Sequence, residues 1–105
     1  DADCVVCCLA MWARVGWEEA AAHFPRQRRS GFKHGVSEWA FRRAARRLGI
    51  RPRRSSSVMR RKGMLVTPKD SRYSHMVYWD GRRAYDPANG KRLGLRSMEL
   101  LEIWH

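Results

Sequence analysis

The sequence predicts an α+β domain: an N-terminal buried helix followed by helices packed on a small antiparallel sheet. Three observations carry that expectation. Cys4–Val15 (CVVCCLAMWARV) is apolar around nearly its whole circumference at 100° per residue, with Arg14 its only charge; a helix of that kind belongs at the centre of a domain. Two further helical patterns follow in the first half of the chain, the second ending near Leu48. Beyond Met64 the apolar runs shorten and alternate with turn residues, Asp80-Gly81 chief among them. Helices first and strands second favour α+β architecture.

Taken in order, Asp3 is a good N-cap for the first helix and Gly16 a good stop. A short second helix is expected over Trp17–Phe24, ended by Pro25, and Arg26–Gly35 reads as a basic loop. Ser37 opens a third helix over Glu38–Leu48, stopped by Gly49. Phe41, Ala44, Ala45 and Leu48 share one face of it, and Arg42, Arg43, Arg46 and Arg47 another. Arg51–Lys62 is Ser-rich and basic, a loop or edge strand, and Met64–Thr67 is a short buried strand. Ser74–Trp79 and Arg82–Asp86 flank Asp80-Gly81 as a hairpin with a two-residue loop. Pro87–Gly90 is a turn, Lys91–Leu95 the last strand, and Ser97–Trp104 a short amphipathic C-terminal helix.

The chain's 105 residues suit one domain over 1–105, with 44% apolar residues to build its core despite a formal charge of +12. The apolar content excludes disorder of the charge-rich kind, and the longest apolar run is too short for a membrane span. Three cysteines bunched at positions 4, 7 and 8 do not form a secreted disulfide framework, so a reducing, cytoplasmic setting is expected. Eleven basic residues and no acidic one lie between Glu38 and Asp70. Arg42, Arg43, Arg46, Arg47, Arg51, Arg53, Arg54, Arg60, Arg61 and Lys62 are therefore candidates for binding nucleic-acid phosphate or an acidic protein, with Trp39 or Phe32 adding stacking. The acidic protein could be a host enzyme met by a phage-type protein. The competing reading is a solvated basic face, enriched in Arg by codon usage.

A two-residue hairpin loop sets Trp79 opposite Arg82, Val77 opposite Ala84 and His75 opposite Asp86. Directly opposed side chains lie about 5 Å apart at Cβ, so Asp86 would fix the imidazole tautomer. A four-residue loop would instead set His75 opposite Ala88. Cys4 is the candidate nucleophile, because the first turn of a helix favours the thiolate. Cys7 and Cys8 lie deeper, where buried cysteines usually fill space. The Cys4-x-x-Cys7 spacing also suits a dithiol redox motif, but such motifs follow a strand. A zinc site from Cys4, Cys7 and a His lacks a second ligand pair at the usual spacing. No metal or cofactor is expected.

These motifs together resemble the papain-like cysteine peptidases, most closely the double-glycine leader peptidase domain and its stand-alone relatives. Asp3-Cys4-Val5-Val6-Cys7-Cys8-Leu9-Ala10-Met11 looks like the nucleophile helix, and Gly35-Val36-Ser37 with Leu48-Gly49-Ile50 like the second block. Ser74-His75-Met76-Val77-Tyr78-Trp79 resembles the strand bearing the catalytic His. Tyr85-Asp86-Pro87-Ala88-Asn89-Gly90 resembles the Asp-Pro-x-x-Gly signature. The closing Ser97–Trp104 segment is similar too. The resemblance implies a papain-like fold, Cys4 as nucleophile, His75 as general base and acid, and Asp86 orienting His75. It also implies a peptide or protein substrate with small residues such as Gly beside the scissile bond. The sequence departs from the family at Val5, where Gly is usual, and its one Gln, Gln27, stands downstream of Cys4 rather than before it. A second expectation follows from those departures: a catalytically weak or inactive peptidase-like binding module that uses its Arg-rich face.

Overall fold

The computed structural model describes residues 4–24, 37–68, 74–87 and 89–105. The chain runs α1 (Cys4–Ala13), α2 (Trp17–Ala21), α3 (Glu38–Arg47), β1 (Gly63–Pro68), β2 (Ser74–Trp79), β3 (Ala84–Tyr85), β4 (Arg92–Leu93), a 3₁₀ turn over Leu95–Ser97, and β5 (Glu102–Trp104). It is a small α+β domain whose antiparallel five-stranded sheet has the order β4-β3-β2-β1-β5. The expected Asp3 cap, Pro25 stop and Arg26–Gly35 loop lie outside the described residues.

α1 packs on one sheet face, where Val6, Cys8 and Leu9 are fully buried among Met64, Val66, Tyr78 and Trp104. α3 adds Phe41, Ala44 and Ala45 to the same core. The opposite face carries Leu65, Val77, Trp79 and Ala84, covered by Val58, Leu93, Leu95, Met98 and Leu100. β1 is thus buried on both faces, which explains why it reads as an apolar run without alternation.

α3 begins and ends at the expected signals. Ser37 Oγ accepts the Ala40 N–H at 3.1 Å, and Gly49 takes φ +84° just beyond the C-terminus. α1 ends differently from expectation. Arg14, not glycine, adopts the left-handed conformation (φ 60°), while the Val15 N–H returns to the Ala10 carbonyl. Gly16 instead caps α2, which stops at Ala21 rather than Phe24. A left-handed L-residue costs about 1–2 kcal/mol. Arg14→Gly is therefore expected to raise stability by about 1 kcal/mol, read as a higher urea midpoint at unchanged slope.

The β2–β3 connection is wider than the dipeptide signal suggests. Trp79 pairs with Ala84 and Tyr78 with Tyr85, leaving a four-residue loop over Asp80–Arg83. The cause is local: Asp80 Oδ1 accepts the backbone N–H groups of Arg82 and Arg83 at 2.8 and 2.7 Å, while the Asp80 N–H donates to the Arg83 carbonyl at 3.1 Å. Those bonds, that from Arg83 first, hold the Asp80 carboxyl below its ordinary value of 3.8. A lowered folded-state pKa gives stabilisation that is present above the unfolded value and lost as pH falls through the folded one. Asp80→Ala should thus melt below the parent near neutral pH. The gap should close under acid conditions below pH 3.8, as thermal melts across pH would show.

The expected C-terminal helix is replaced by the 3₁₀ turn and β5. The reason is the open edge of β1. Pairing Met64 with Trp104, Leu65 with Ile103 and Val66 with Glu102 satisfies that edge and buries Trp104, whereas an isolated eight-residue helix gains little. On its other side β5 meets Arg54 in an isolated bridge, with reciprocal backbone bonds between Arg53 and His105, so the Arg51–Lys62 segment does supply an edge. His105 fastens the rest of it. Its Nε2 accepts the Met59 N–H, which leaves Nδ1 to donate to the Arg61 carbonyl, both at 3.0 Å. Gly63 lies so close to β5 that a Cβ there would stand 1.9 Å from the Trp104 carbonyl oxygen.

Candidate active site

Cys4 opens α1, placing its thiol in the first turn, where unpaired N–H groups favour a thiolate. The residue is buried, and its Sγ lies 3.4 Å from Met76 Sδ. Met76 directly follows His75 on β2, so the thiol rests against the strand that carries the imidazole. Cys7 is half-buried and Cys8 fully buried. Burial foremost, then Cys4, Cys7 and the Asp86 carboxylate, push the Cys8 thiol well above its ordinary 9.0. Cys8 is thus a core residue, held as a neutral thiol.

The observed register does not set His75 opposite Asp86. Continuing it beyond Tyr78–Tyr85 brings Asp86 across from Val77 rather than His75. The two side chains nevertheless meet on the diagonal, with His75 Nε2 3.2 Å from Asp86 Oδ1. Such diagonal neighbours on one sheet face are within reach of long side chains. Asp86 is placed by its turn: its N–H donates to the Lys91 carbonyl at 2.9 Å, and its own carbonyl accepts the Gly90 N–H at 2.7 Å. Gly90 takes φ +71°, the left-handed conformation this turn requires. His75 is held through its backbone, opposite Thr67, whose hydroxyl donates to the His75 carbonyl.

The His75 and Asp86 side chains are only 16% and 21% exposed. Their contact is an ion-pair approach outside hydrogen-bond alignment, and both ring nitrogens of His75 are buried without a hydrogen bond among the described residues. Buried polar atoms of this kind are rare and costly, and catalytic sites are one place where they occur. A groove of about 240 Å³ is floored by Val5, Phe41, Val66, Met76 and Trp104; Val5 and Met76 are the chain neighbours of Cys4 and His75, which do not themselves line it. Its mixed apolar floor and polar rim were not legible from motifs, because residues from α1, α3, β1, β2 and β5 compose it. The same holds for Met76, which no spacing rule marks as the partner of Cys4.

The basic residues divide into separate environments. Arg42, Arg46, Arg51 and Arg53 line one cleft together with Gly49 and Pro52. Arg43 lies over the exposed Trp39 ring at 5.3 Å, and Arg47 is exposed near the end of α3. Arg54 is drawn toward carboxylates instead, contacting Glu38 and approaching Glu102 at 3.8 Å, with Trp104 beneath it. Arg60, Arg61 and Lys62 are exposed on the segment fastened by His105, and the Arg60 backbone abuts Gly81 of the β2–β3 loop. Phe32 and Gln27 lie outside the described residues. Among the described residues, no three or more His, Cys, Asp or Glu side chains are grouped to hold a metal ion. No described helix is long and apolar enough to cross a membrane.

No family model matches the chain, and no curated protein or solved structure matches it either.

Proposed function

We propose that the protein is a small papain-like cysteine peptidase acting through Cys4, His75 and Asp86. The observation that carries this reading is the buried imidazole of His75. Its nitrogens are not spent on hydrogen bonds, a carboxylate stands 3.2 Å from Nε2, and a thiol at a helix N-terminus packs against the next residue of the strand. Asp86 at Nε2 favours the tautomer with its proton on that side, leaving Nδ1 to exchange a proton with the thiol.

In the reaction the Cys4 thiolate attacks the scissile carbonyl carbon, forming a C–S bond and a tetrahedral oxyanion. The Cys4 backbone N–H is a candidate donor to that oxyanion. Collapse breaks the C–N bond as the protonated His75 gives its proton to the leaving amine. His75 then takes a proton from water, whose oxygen attacks the thioester and restores Cys4. The groove beside Val5 and Met76 would accept an extended peptide, with small residues such as Gly nearest the thiol. Three cysteines bunched at positions 4, 7 and 8, a pattern unlike a secreted disulfide framework, suit a reducing, cytoplasmic setting.

The test is digestion of a peptide library containing Gly-Gly and bulky-residue junctions, with new termini read by mass spectrometry. Cleavage after Gly that disappears in Cys4→Ala supports the proposal. Cleavage that persists unchanged in Cys4→Ala, or no cleavage at any junction, overturns it.

A further inference from the structure

The cleft between the end of α3 and the following segment has no part in the chemistry above. It is lined by Arg42, Arg46, Arg51 and Arg53, with Gly49 and Pro52. Arginines in the last turn of a helix often do no more than offset the negative end of its dipole. Arg46 answers that description, but Arg51 and Arg53 lie beyond the helix. They are exposed on either side of the buried Pro52, and two backbone bonds to His105 anchor Arg53. Among the described residues, no carboxylate comes within 4.0 Å of Arg46, Arg51 or Arg53, whereas Arg42 pairs with Glu38 at 3.2 Å. The local sequence reinforces this, since no acidic residue occurs between Glu38 and Asp70. Self-repulsion of converging cations is unfavourable unless an anion is shared among them.

Trp39 points to the kind of anion. It is 64% exposed, the most exposed of the large apolar side chains among the described residues. The spacing Trp39, Arg42, Arg43, Arg46 follows i, i+3, i+4, i+7, so the indole begins the helical stripe that ends in the cleft. Arg43 already lies over its ring. A flat, exposed aromatic leading into a row of guanidinium groups is the combination that binds unpaired bases and their phosphates together. An acidic polypeptide would use the charges and leave the indole without a role.

We infer that the Arg42–Arg46–Arg51–Arg53 cleft and Trp39 form a binding site for single-stranded nucleic acid, with phosphates in the cleft and a base stacked on the indole. Three engaged arginines give a slope of log K against log salt of about −2 on a single strand.

Fluorescence anisotropy with labelled oligothymidylate and oligouridylate, titrated from about 50 mM salt upward, tests the site. Arg46→Gln with Arg51→Gln should flatten the slope by about 1.4, and Trp39→Ala should weaken binding roughly tenfold. Arg83→Gln with Arg92→Gln removes the same charge from a different depression on the surface and should leave the slope nearly unchanged. All five positions are on the surface, and thermal melts matching the parent would confirm that each variant is folded. Oligothymidylate and oligouridylate arms distinguish DNA from RNA. Lack of binding at about 50 mM salt, or equal slope changes in the two double variants, overturns the site. So does tighter binding of a duplex with Trp39→Ala silent, or competition by polyglutamate as effective as by the oligonucleotide.

Discussion

His75→Ala is expected to lower peptide hydrolysis by about 10²–10⁴-fold while leaving the fold as stable as the parent to within about 1 kcal/mol. The two parts of that result come from one feature. General acid–base catalysis of both acylation and deacylation needs a proton carrier beside the thiol, and the proposed carrier is the imidazole. The same ring makes no hydrogen bond among the described residues, although its nitrogens are buried. Removing it takes away an unpaid desolvation cost along with some packing, and the two nearly offset. A purely structural histidine would behave in the opposite way, losing stability first. Asp86→Ala should have the smaller effect on rate, since Asp86 acts by orienting the ring. The turn should persist in that variant, because residue 86 bonds Gly90 and Lys91 through its backbone, which Ala retains. Initial rates on a cleaved peptide and urea melts of the same preparations check both halves.

Gly63→Ala is expected to be the most damaging small substitution in the sheet. The added Cβ would lie 1.9 Å from the Trp104 carbonyl oxygen, 3.0 Å from its carbonyl carbon and 3.1 Å from His105 Nδ1. Two of these are backbone atoms, so no side-chain rotation relieves the contact. β5 must move away from β1, taking with it Trp104, which is 2% exposed and packs edge-on against Phe41 at 5.5 Å. Overpacking against backbone, with partial exposure of a Trp, should cost about 3 kcal/mol. The lost midpoint in urea should be accompanied by a red shift in tryptophan emission. An unchanged midpoint would mean that β5 does not pair with β1 as described.

Much of this architecture was written in local chemistry. α3 was legible because cap, apolar stripe and stop agree: Ser37 receives the Ala40 N–H, Phe41, Ala44 and Ala45 are buried, and Gly49 takes a positive φ. α1 was legible from its all-round apolarity, but not its end, since no propensity selects Arg14 for a left-handed position. The C-terminal segment misled because Ser97–Trp104 carries a helical pattern. The strand over Glu102–Trp104 arises from the empty edge of β1, which is a tertiary cause.

The candidate site shows the same division. His75 and Asp86 were paired in the sequence through a two-residue turn, yet Asp80 widens that turn by accepting two N–H groups. The pair survives as a diagonal contact because both residues still face the same side of the sheet. The contact of Cys4 with Met76 joins residues 72 positions apart and had no local signature. The basic run between Glu38 and Asp70 looked uniform, whereas the fold commits Arg54 to carboxylates and gathers Arg46, Arg51 and Arg53 in a cleft.

The most direct measurement of the catalytic reading is the rate of iodoacetamide alkylation at each cysteine near neutral pH, resolved by peptide mass spectrometry in the parent and in His75→Ala. A thiolate sustained by the helix N-terminus and by His75 predicts Cys4 modified about tenfold or more faster than Cys7 and Cys8, with that advantage lost in the variant. Equal, slow labelling of all three cysteines, or an advantage of Cys4 unchanged in His75→Ala, would contradict it.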